Sequence, residues 1–105
     1  MTNAQIIFNE SQRLAAEGII KYTGRVFKMQ DMAGDEVIVK ETEEIHTYNA
    51  WKDMGFQVQK GEKAVAQFVI WKYRGKVNEE TNEEEGQMFM KRASFFTRQQ
   101  VKAIA

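Results

Sequence analysis

The sequence predicts an α+β domain: an antiparallel sheet of about four strands with an N-terminal helix, a short middle helix and a short C-terminal helix packed on it. Two observations predict this class. Runs rich in β-branched and large apolar residues alternate with polar, glycine-containing turns, and segments with helix caps precede, separate and follow the paired runs. The chain of 105 residues is expected to form one domain, residues 1–105, because domains commonly contain roughly 100–150 residues.

The first helix is predicted over residues 4–17. Thr2 and Gln5 have the spacing of a capping box, in which each side chain bonds to the backbone of the other residue. Gly18 is expected to end the helix, because glycine readily takes the left-handed conformation found after helix ends. The stripe with helical spacing is formed by Ile7, Ser11, Leu14 and Gly18.

A β-hairpin is predicted next. Arg25–Met29 and Val37–Val39 are short runs of the strand type. The polar segment 31–35 between them contains Gly34 and is typical of a turn.

The middle of the chain predicts a short helix and then a tight turn. Thr47 is the expected N-cap of a helix over Tyr48–Met54, which Gly55 would end. Gly61 marks a turn between two extended segments.

The last third of the chain predicts two paired strands and a helix. Ala64–Tyr73 is the strongest strand signal, and its two alternating faces are both mostly apolar, which is typical of a central, covered strand. Gln87–Phe96 is its expected partner across a polar, Glu-rich loop at residues 78–86. Thr97 is expected to cap a final helix that runs toward Ile104.

Composition predicts a cytoplasmic protein. There are no cysteines, whereas a secreted domain of this size usually depends on disulfides. The first residues do not form a basic and then apolar leader. The longest nearly apolar run, residues 64–71, is too short to cross a bilayer, so we expect no membrane association.

The residue types argue against an enzyme. His46 is the only imidazole, and without cysteine it gives neither a convincing zinc site nor an activated nucleophile. Neighbouring carboxylates such as Glu43 and Glu44 are more often solvated surface than acid–base catalysts. Phosphate-loop and dinucleotide motifs do not occur. We expect no catalytic residues, no metal, no cofactor and no small-molecule substrate.

Charge is balanced over the chain, with 15 basic and 15 acidic residues, but it is unevenly distributed. Residues 52–76 contain six basic and two acidic side chains, whereas residues 79–85 contain five glutamates and no base. Such a separation can give one basic face. The alternative is that both segments are ordinary solvated surface.

Aromatic residues are interleaved with basic ones in the same region, which favours single-stranded nucleic acid as a partner. Proteins bind single strands in grooves that combine phosphate-neutralising side chains with aromatic stacking platforms. The alternative is that the large aromatics belong to the core, their usual place. The predicted contacts with phosphate are Lys52, Lys60, Lys63, Lys72 and Arg74. One or two of Trp51, Phe56, Trp71 and Tyr73 are predicted to stack on bases.

A resemblance to a known family supports this prediction. It rests on Gly55, on the turn V-x-K-G-E-K that begins at Val58, on Trp71-Lys72, and on an apolar strand that enters a helix at residues 93–101. In these features residues 45–101 resemble the N-terminal single-stranded-DNA-binding domain of plasmid antirestriction proteins of the ArdC type. The family's metalloprotease-like domain and its H-E-x-x-H motif are absent from this sequence. The resemblance therefore implies the DNA-binding half of such a protein, standing alone.

Two functions are expected from this resemblance. Short domains of this kind look like products of phages and integrated elements, and the size is similar to that of anti-CRISPR proteins. The first expectation is a counter-defence protein that binds single-stranded DNA in the cytoplasm of a bacterial host and interferes with a restriction enzyme or a Cas9-type nuclease. The second is an inhibitor without DNA affinity, whose acidic surface occupies the nucleic-acid channel of the nuclease itself. Its contacts would be Glu79, Glu80, Glu83, Glu84 and Glu85, for which a solvated loop is the alternative.

Overall fold

The computed structural model describes residues 1–77, 80 and 84–104, with the backbone alone for residues 74, 76, 77, 84 and 85. The α+β class and the N-terminal helix are confirmed. The elements, in chain order, are α1 (Asn3–Ala16), β1 (Tyr22–Gln30), β2 (Glu36–Thr42), β3 (Ile45–Thr47), α2 (Tyr48–Asp53), β4 (Phe56–Val58), β5 (Ala66–Val77), β6 (Glu84–Thr97), a 3₁₀ turn (Arg98–Gln100) and β7 (Val101–Ala103).

The strands form three separate antiparallel sheets, which differs from the predicted single sheet of about four strands. The central sheet has the order β3-β6-β5, and the pairs β1-β2 and β4-β7 form two-stranded sheets. The prediction that Ala64–Tyr73 forms a central strand is wrong: β5 lies at an edge and β6 lies between its two neighbours. Apolar residues on both faces of a strand show that both faces can be covered. They do not show whether other strands pair with both of its edges.

The predicted C-terminal helix begins after Thr97 as expected, but it ends at Gln100 and does not run toward Ile104. After Thr97 the chain makes one 3₁₀ turn, and Val101–Ala103 then pairs with Phe56–Val58. A helix of so few residues is marginal by itself. Pairing with β4 instead satisfies backbone groups of both segments and buries Val101.

The core lies between α1 and one face of the central sheet. Phe68, Ile70, Phe95 and Ile45 alternate onto this face, and Leu14 of α1 packs against them. Phe68 and Phe95 stack with their ring centroids 4.0 Å apart. Burial of these side chains is the main favourable contribution to folding.

The N-terminal end of α1 is fixed to the outer edge of β5. The predicted capping box of Thr2 and Gln5 is confirmed. The side chain of Asn3 pairs with the backbone of Trp71. Its side-chain nitrogen Nδ2 donates to the carbonyl oxygen of Trp71 (2.9 Å), and its side-chain oxygen Oδ1 accepts from the backbone N–H of Trp71 (2.8 Å). This side chain imitates a neighbouring strand and satisfies backbone groups that an edge strand would expose.

A second, smaller apolar cluster lies on the opposite face of the central sheet, at its β3 end. Trp51 of α2 is 2% exposed, and its indole nitrogen donates to the carbonyl oxygen of Phe96 at 2.9 Å. The rings of His46 and Phe56 each form a T-shaped pair with this indole ring, with ring centroids 4.8 and 5.5 Å apart, respectively. The Thr47 cap of α2 is confirmed, and Gly55, with a φ of +90°, follows the helix as predicted.

The β1-β2 hairpin extends away from the central sheet. The ring centroids of Phe27 and of Phe8 on α1 are 6.4 Å apart. The side-chain nitrogen of Gln12 donates to the carbonyl oxygen of Lys40 at 3.0 Å. The radius of gyration is 17.1 Å, whereas about 13 Å is typical of a closely packed domain of this length. In the part of the chain that the structure describes, no helix has the length and apolar character needed to span a membrane.

Phe95→Ala should lower the free energy of unfolding by about 3–5 kcal/mol, because it removes a ring that is fully buried against Phe68 and leaves a cavity. Urea denaturation followed by circular dichroism measures the change. Val26→Ala, at an exposed position of the hairpin, is the control and should change stability by less than about 0.5 kcal/mol. A loss below about 1 kcal/mol for Phe95→Ala would contradict this description of the core.

Candidate nucleic-acid interface

The register of β5 and β6 places a group of large side chains on the face opposite the α1 core. Directly opposed pairs share a face, and successive residues of a strand point to opposite faces. Three opposed pairs therefore lie on the side away from Phe68 and Ile70. They form a surface that we call the open platform: Val69 with Arg92, Trp71 with Met90, and Tyr73 with Met88.

The open platform is apolar and accessible. Trp71 is 37% exposed and Tyr73 is 55% exposed, and Val69, Met88 and Met90 are exposed as well. The Trp51 cluster covers the same face only at its other end, near His46 and Phe96. Contiguous exposed apolar side chains of this kind commonly mark a binding surface.

Both aromatic residues of the platform are held by specific backbone features. Asn3 fixes the β5 backbone at Trp71, as described above. Gly86 leaves space for the ring of Tyr73, since a Cβ atom at position 86 would collide with that ring. An apolar groove continues the platform toward the N-terminus and is lined by Met1, Thr2, Asn3, Trp71 and Met88.

The predicted phosphate contacts do not all lie on this face. Lys72 pairs with Phe89, so it lies on the α1 side of the sheet, where it is half-buried. Arg74 occupies the strand position two residues further on, and its side chain is outside the described part. Lys52 is exposed on α2. Lys60 and Lys63 are exposed in the turn before β5. The β5 segment from Ala66 to Trp71 separates this turn from the platform aromatic Trp71 by about 17 Å.

The V-x-K-G-E-K turn is anchored to the C-terminal segment through Gln100. The side-chain nitrogen of Gln100 donates to the carbonyl oxygen of Lys63 at 2.5 Å and to the carboxylate of Glu62 at 3.1 Å. The backbone N–H of Gln59 donates to the carbonyl oxygen of Gln100 at 2.8 Å. Gly61 has a φ of +88°, which a residue with a side chain rarely adopts. The turn is therefore rigid, and it presents Lys60 and Lys63 from a fixed backbone.

Two of the aromatic residues predicted to stack on bases are structural. Trp51 is buried, which favours the core alternative for its ring. Phe56 is half-buried against Trp51, and the Arg98 guanidinium lies 4.3 Å from its ring centroid. Sequence alone could not distinguish a stacking role from a core role for Trp51, because an exposed and a buried tryptophan look alike in sequence.

The acidic residues proposed to contact a nuclease are largely outside the described residues. Glu79 and Glu83 fall outside them, and for Glu84 and Glu85 the backbone alone is described, as part of β6. Glu80 is exposed in a turn. Their suggested role remains a prediction. Within the described residues, no three His, Cys, Asp or Glu side chains are grouped to hold a metal ion.

Sequence reasoning did not identify the β6 contribution to this surface. Met88, Met90 and Arg92 lie on the platform, whereas Lys91 lies on the opposite face of β6. The available signal was the alternation of Met88, Met90 and Arg92 within the predicted strand. This alternation does not predict a shared surface unless the register is known, because the register places these residues opposite Tyr73, Trp71 and Val69.

The comparison with known families identifies the family of this chain. Residues 36–101 match the family described as the N-terminal domain of anti-restriction factor ArdC. The match spans more than half of the chain, so the chain belongs to this family, which confirms the resemblance seen in residues 45–101. It begins at the first residue of β2 and leaves α1 and β1 outside. Comparison with curated proteins and with solved structures gives no match.

Gln100→Leu should lower the free energy of unfolding by about 1–3 kcal/mol, because it removes the donor to Lys63 and Glu62 and leaves partly buried acceptors without it. Chemical denaturation measures the change. Gln99→Leu, at the exposed neighbouring position, is the matched control and should be close to neutral. Equal effects of the two substitutions would show that Gln100 does not anchor the turn.

Proposed function

We propose that this domain binds single-stranded DNA on the open platform, as part of a counter-defence protein of a phage or other mobile element. The proposal depends on one observation above all: Trp71 and Tyr73 present accessible rings on a sheet face that the described residues leave uncovered. The antirestriction family to which the chain belongs gives this surface its biological setting.

Base stacking is the interaction that this surface supports. Trp71 and Tyr73 are two residues apart on one strand, so their rings are neighbours about 7 Å apart along it. Sheets with aromatic side chains in such positions stack two or three bases of a single strand. Met88 and Met90 lie opposite these rings and supply adaptable apolar contacts at their margins.

The platform should discriminate against duplex DNA. Bases within a duplex are already stacked on one another, so their faces are not free for Trp71 or Tyr73. The chain has a net charge of zero, which gives little long-range attraction to a duplex. Single-strand preference with modest affinity at physiological salt follows from these two features.

Lys60 and Lys63 act in this proposal as contacts for a longer strand. They lie beyond the opposite end of β5 from Tyr73, on the rigid turn held by Gln100. A DNA strand that covers the platform and continues past the start of β5 brings its phosphates to the ammonium groups of Lys60 and Lys63. Lys52 extends the same basic end from α2.

A strand held in this way is shielded from enzymes that act on it. Interference with a restriction or CRISPR–Cas nuclease in the bacterial cytoplasm then results from occupation of single-stranded DNA. The domain itself performs no chemical step in this mechanism.

Trp71→Ala combined with Tyr73→Ala should weaken binding of a labelled oligo(dT) by at least about 25-fold, because each stacked base contributes about 1–3 kcal/mol. Fluorescence anisotropy at several salt concentrations, with duplex DNA of the same length for comparison, measures the affinity. Thermal unfolding should change little, since both side chains are exposed.

Tyr22→Ala is the matched control, because Tyr22 is an exposed aromatic residue on the hairpin, away from the platform. It should leave the affinity unchanged. Absence of binding by the unmodified protein even at low salt would contradict the proposal. The nuclease itself would then be the expected target, with the glutamates at positions 79–85 as the first residues to replace by glutamine.

A further inference from the structure

The open edge of β6 carries a small cationic cleft next to the platform. β3 pairs with β6 only at Phe95–Thr97, and the chain then turns into α2. The edge of β6 at Lys91–Ser94 therefore faces the start of α2 and not another strand. The cleft between them has a volume of about 190 Å³ and is lined by Thr47, Tyr48, Asn49, Lys72, Lys91, Arg92, Ala93 and Ser94.

The chemistry of this lining is that of an anion site. Three of the lining residues are cationic and none of them is acidic. Asn49, Thr47 and Ser94 add neutral hydrogen-bond donors. Among the described residues, neither Lys91 nor Arg92 takes part in a salt bridge, although other basic residues such as Arg13 and Arg25 do. Their charges are thus available to a ligand.

The three cations reach the cleft from both faces of the sheet. Arg92 pairs with Val69 and shares the face of the platform, whereas Lys91 pairs with Ile70 and lies on the opposite face with Lys72. Arg92 therefore belongs to both the platform and the cleft. A polymer with apolar faces along one side and anionic groups along the other fits this arrangement, and single-stranded DNA has that character.

We infer that the cleft binds a backbone phosphate of the strand whose bases stack on Trp71 and Tyr73, an inference that rests on the function proposed above. The DNA strand then crosses the sheet at Arg92, and Lys60 and Lys63 are reached only by a DNA strand long enough to continue beyond this point. Its bases lie on the platform, and its backbone passes Arg92 and leaves over the edge of β6 toward Asn49 and the start of α2. Arg92 and Lys91 are the principal phosphate contacts.

The test compares Lys91→Gln/Arg92→Gln with the control Lys21→Gln/Lys102→Gln, which has the same change in net charge at exposed positions in other parts of the fold. Binding of oligo(dT) is measured by fluorescence anisotropy between low and physiological salt. The cleft variant should bind about tenfold more weakly at low salt, and the slope of log affinity against log salt should fall by about 0.7, the contribution of one neutralised single-strand phosphate. The control variant should stay within about twofold of the unmodified protein, as distant charges are screened.

The outcomes separate this inference from the proposed function. If the cleft variant matches the control while Trp71→Ala/Tyr73→Ala loses binding, the platform stands and the phosphate site is wrong. If the unmodified protein binds no oligo(dT), inorganic phosphate is titrated into ¹⁵N-labelled protein. Shifts confined to the amides of Asn49 and Lys91–Ser94 would then show a site for a free anion, and their absence would show no anion site. Either result would overturn the assignment to a DNA backbone.

Discussion

The antiparallel pairing of β5 with β6 is the constraint on which the rest of this structure depends. Over the length of β5 every residue has a fixed partner, from Ala66 opposite Phe95 to Val77 opposite Glu84. A shift of one residue would turn over one strand relative to the other, so that either Phe95 would move to the solvent or Trp71 into the α1 core, because side chains alternate between faces. The register therefore sets the core and the candidate interface by the same set of backbone hydrogen bonds.

The two faces of the β5-β6 pair are covered to different extents, and the proposed function depends on this difference. One face is filled by α1 around Leu14, and the other is covered by α2 only beside Trp51. Trp71 and Tyr73 lie beyond that point and have exposed side chains. The edges of the sheet also differ, since Asn3 satisfies backbone groups of β5 whereas β6 remains open beside the cationic cleft. Within the described residues, the open platform and the adjoining cationic cleft are what stays uncovered when the core is complete.

Much of the local structure could be predicted from sequence because it depends on local chemistry. The capping box of Thr2, the N-cap at Thr47, the glycine after α2 and the two hairpins are all encoded within a few neighbouring residues. The family resemblance was also local, since it rested on the V-x-K-G-E-K turn. What failed depended on distant partners. The segment after Thr97 became a strand because β4 is there to pair with it, and the status of Trp51 was set by Phe96 and Phe56.

Fluorescence of the two tryptophans tests the central claim most directly, because Trp51 is buried and Trp71 lies on the open platform. Emission is recorded as oligo(dT) is titrated into the unmodified protein and into Trp71→Phe, while anisotropy of a labelled strand follows binding. Stacking of a base on Trp71 predicts quenching that saturates with binding in the unmodified protein and is lost in Trp71→Phe, which still binds. Binding without quenching, or equal quenching in both proteins, would contradict the assignment of this face as the DNA-binding surface.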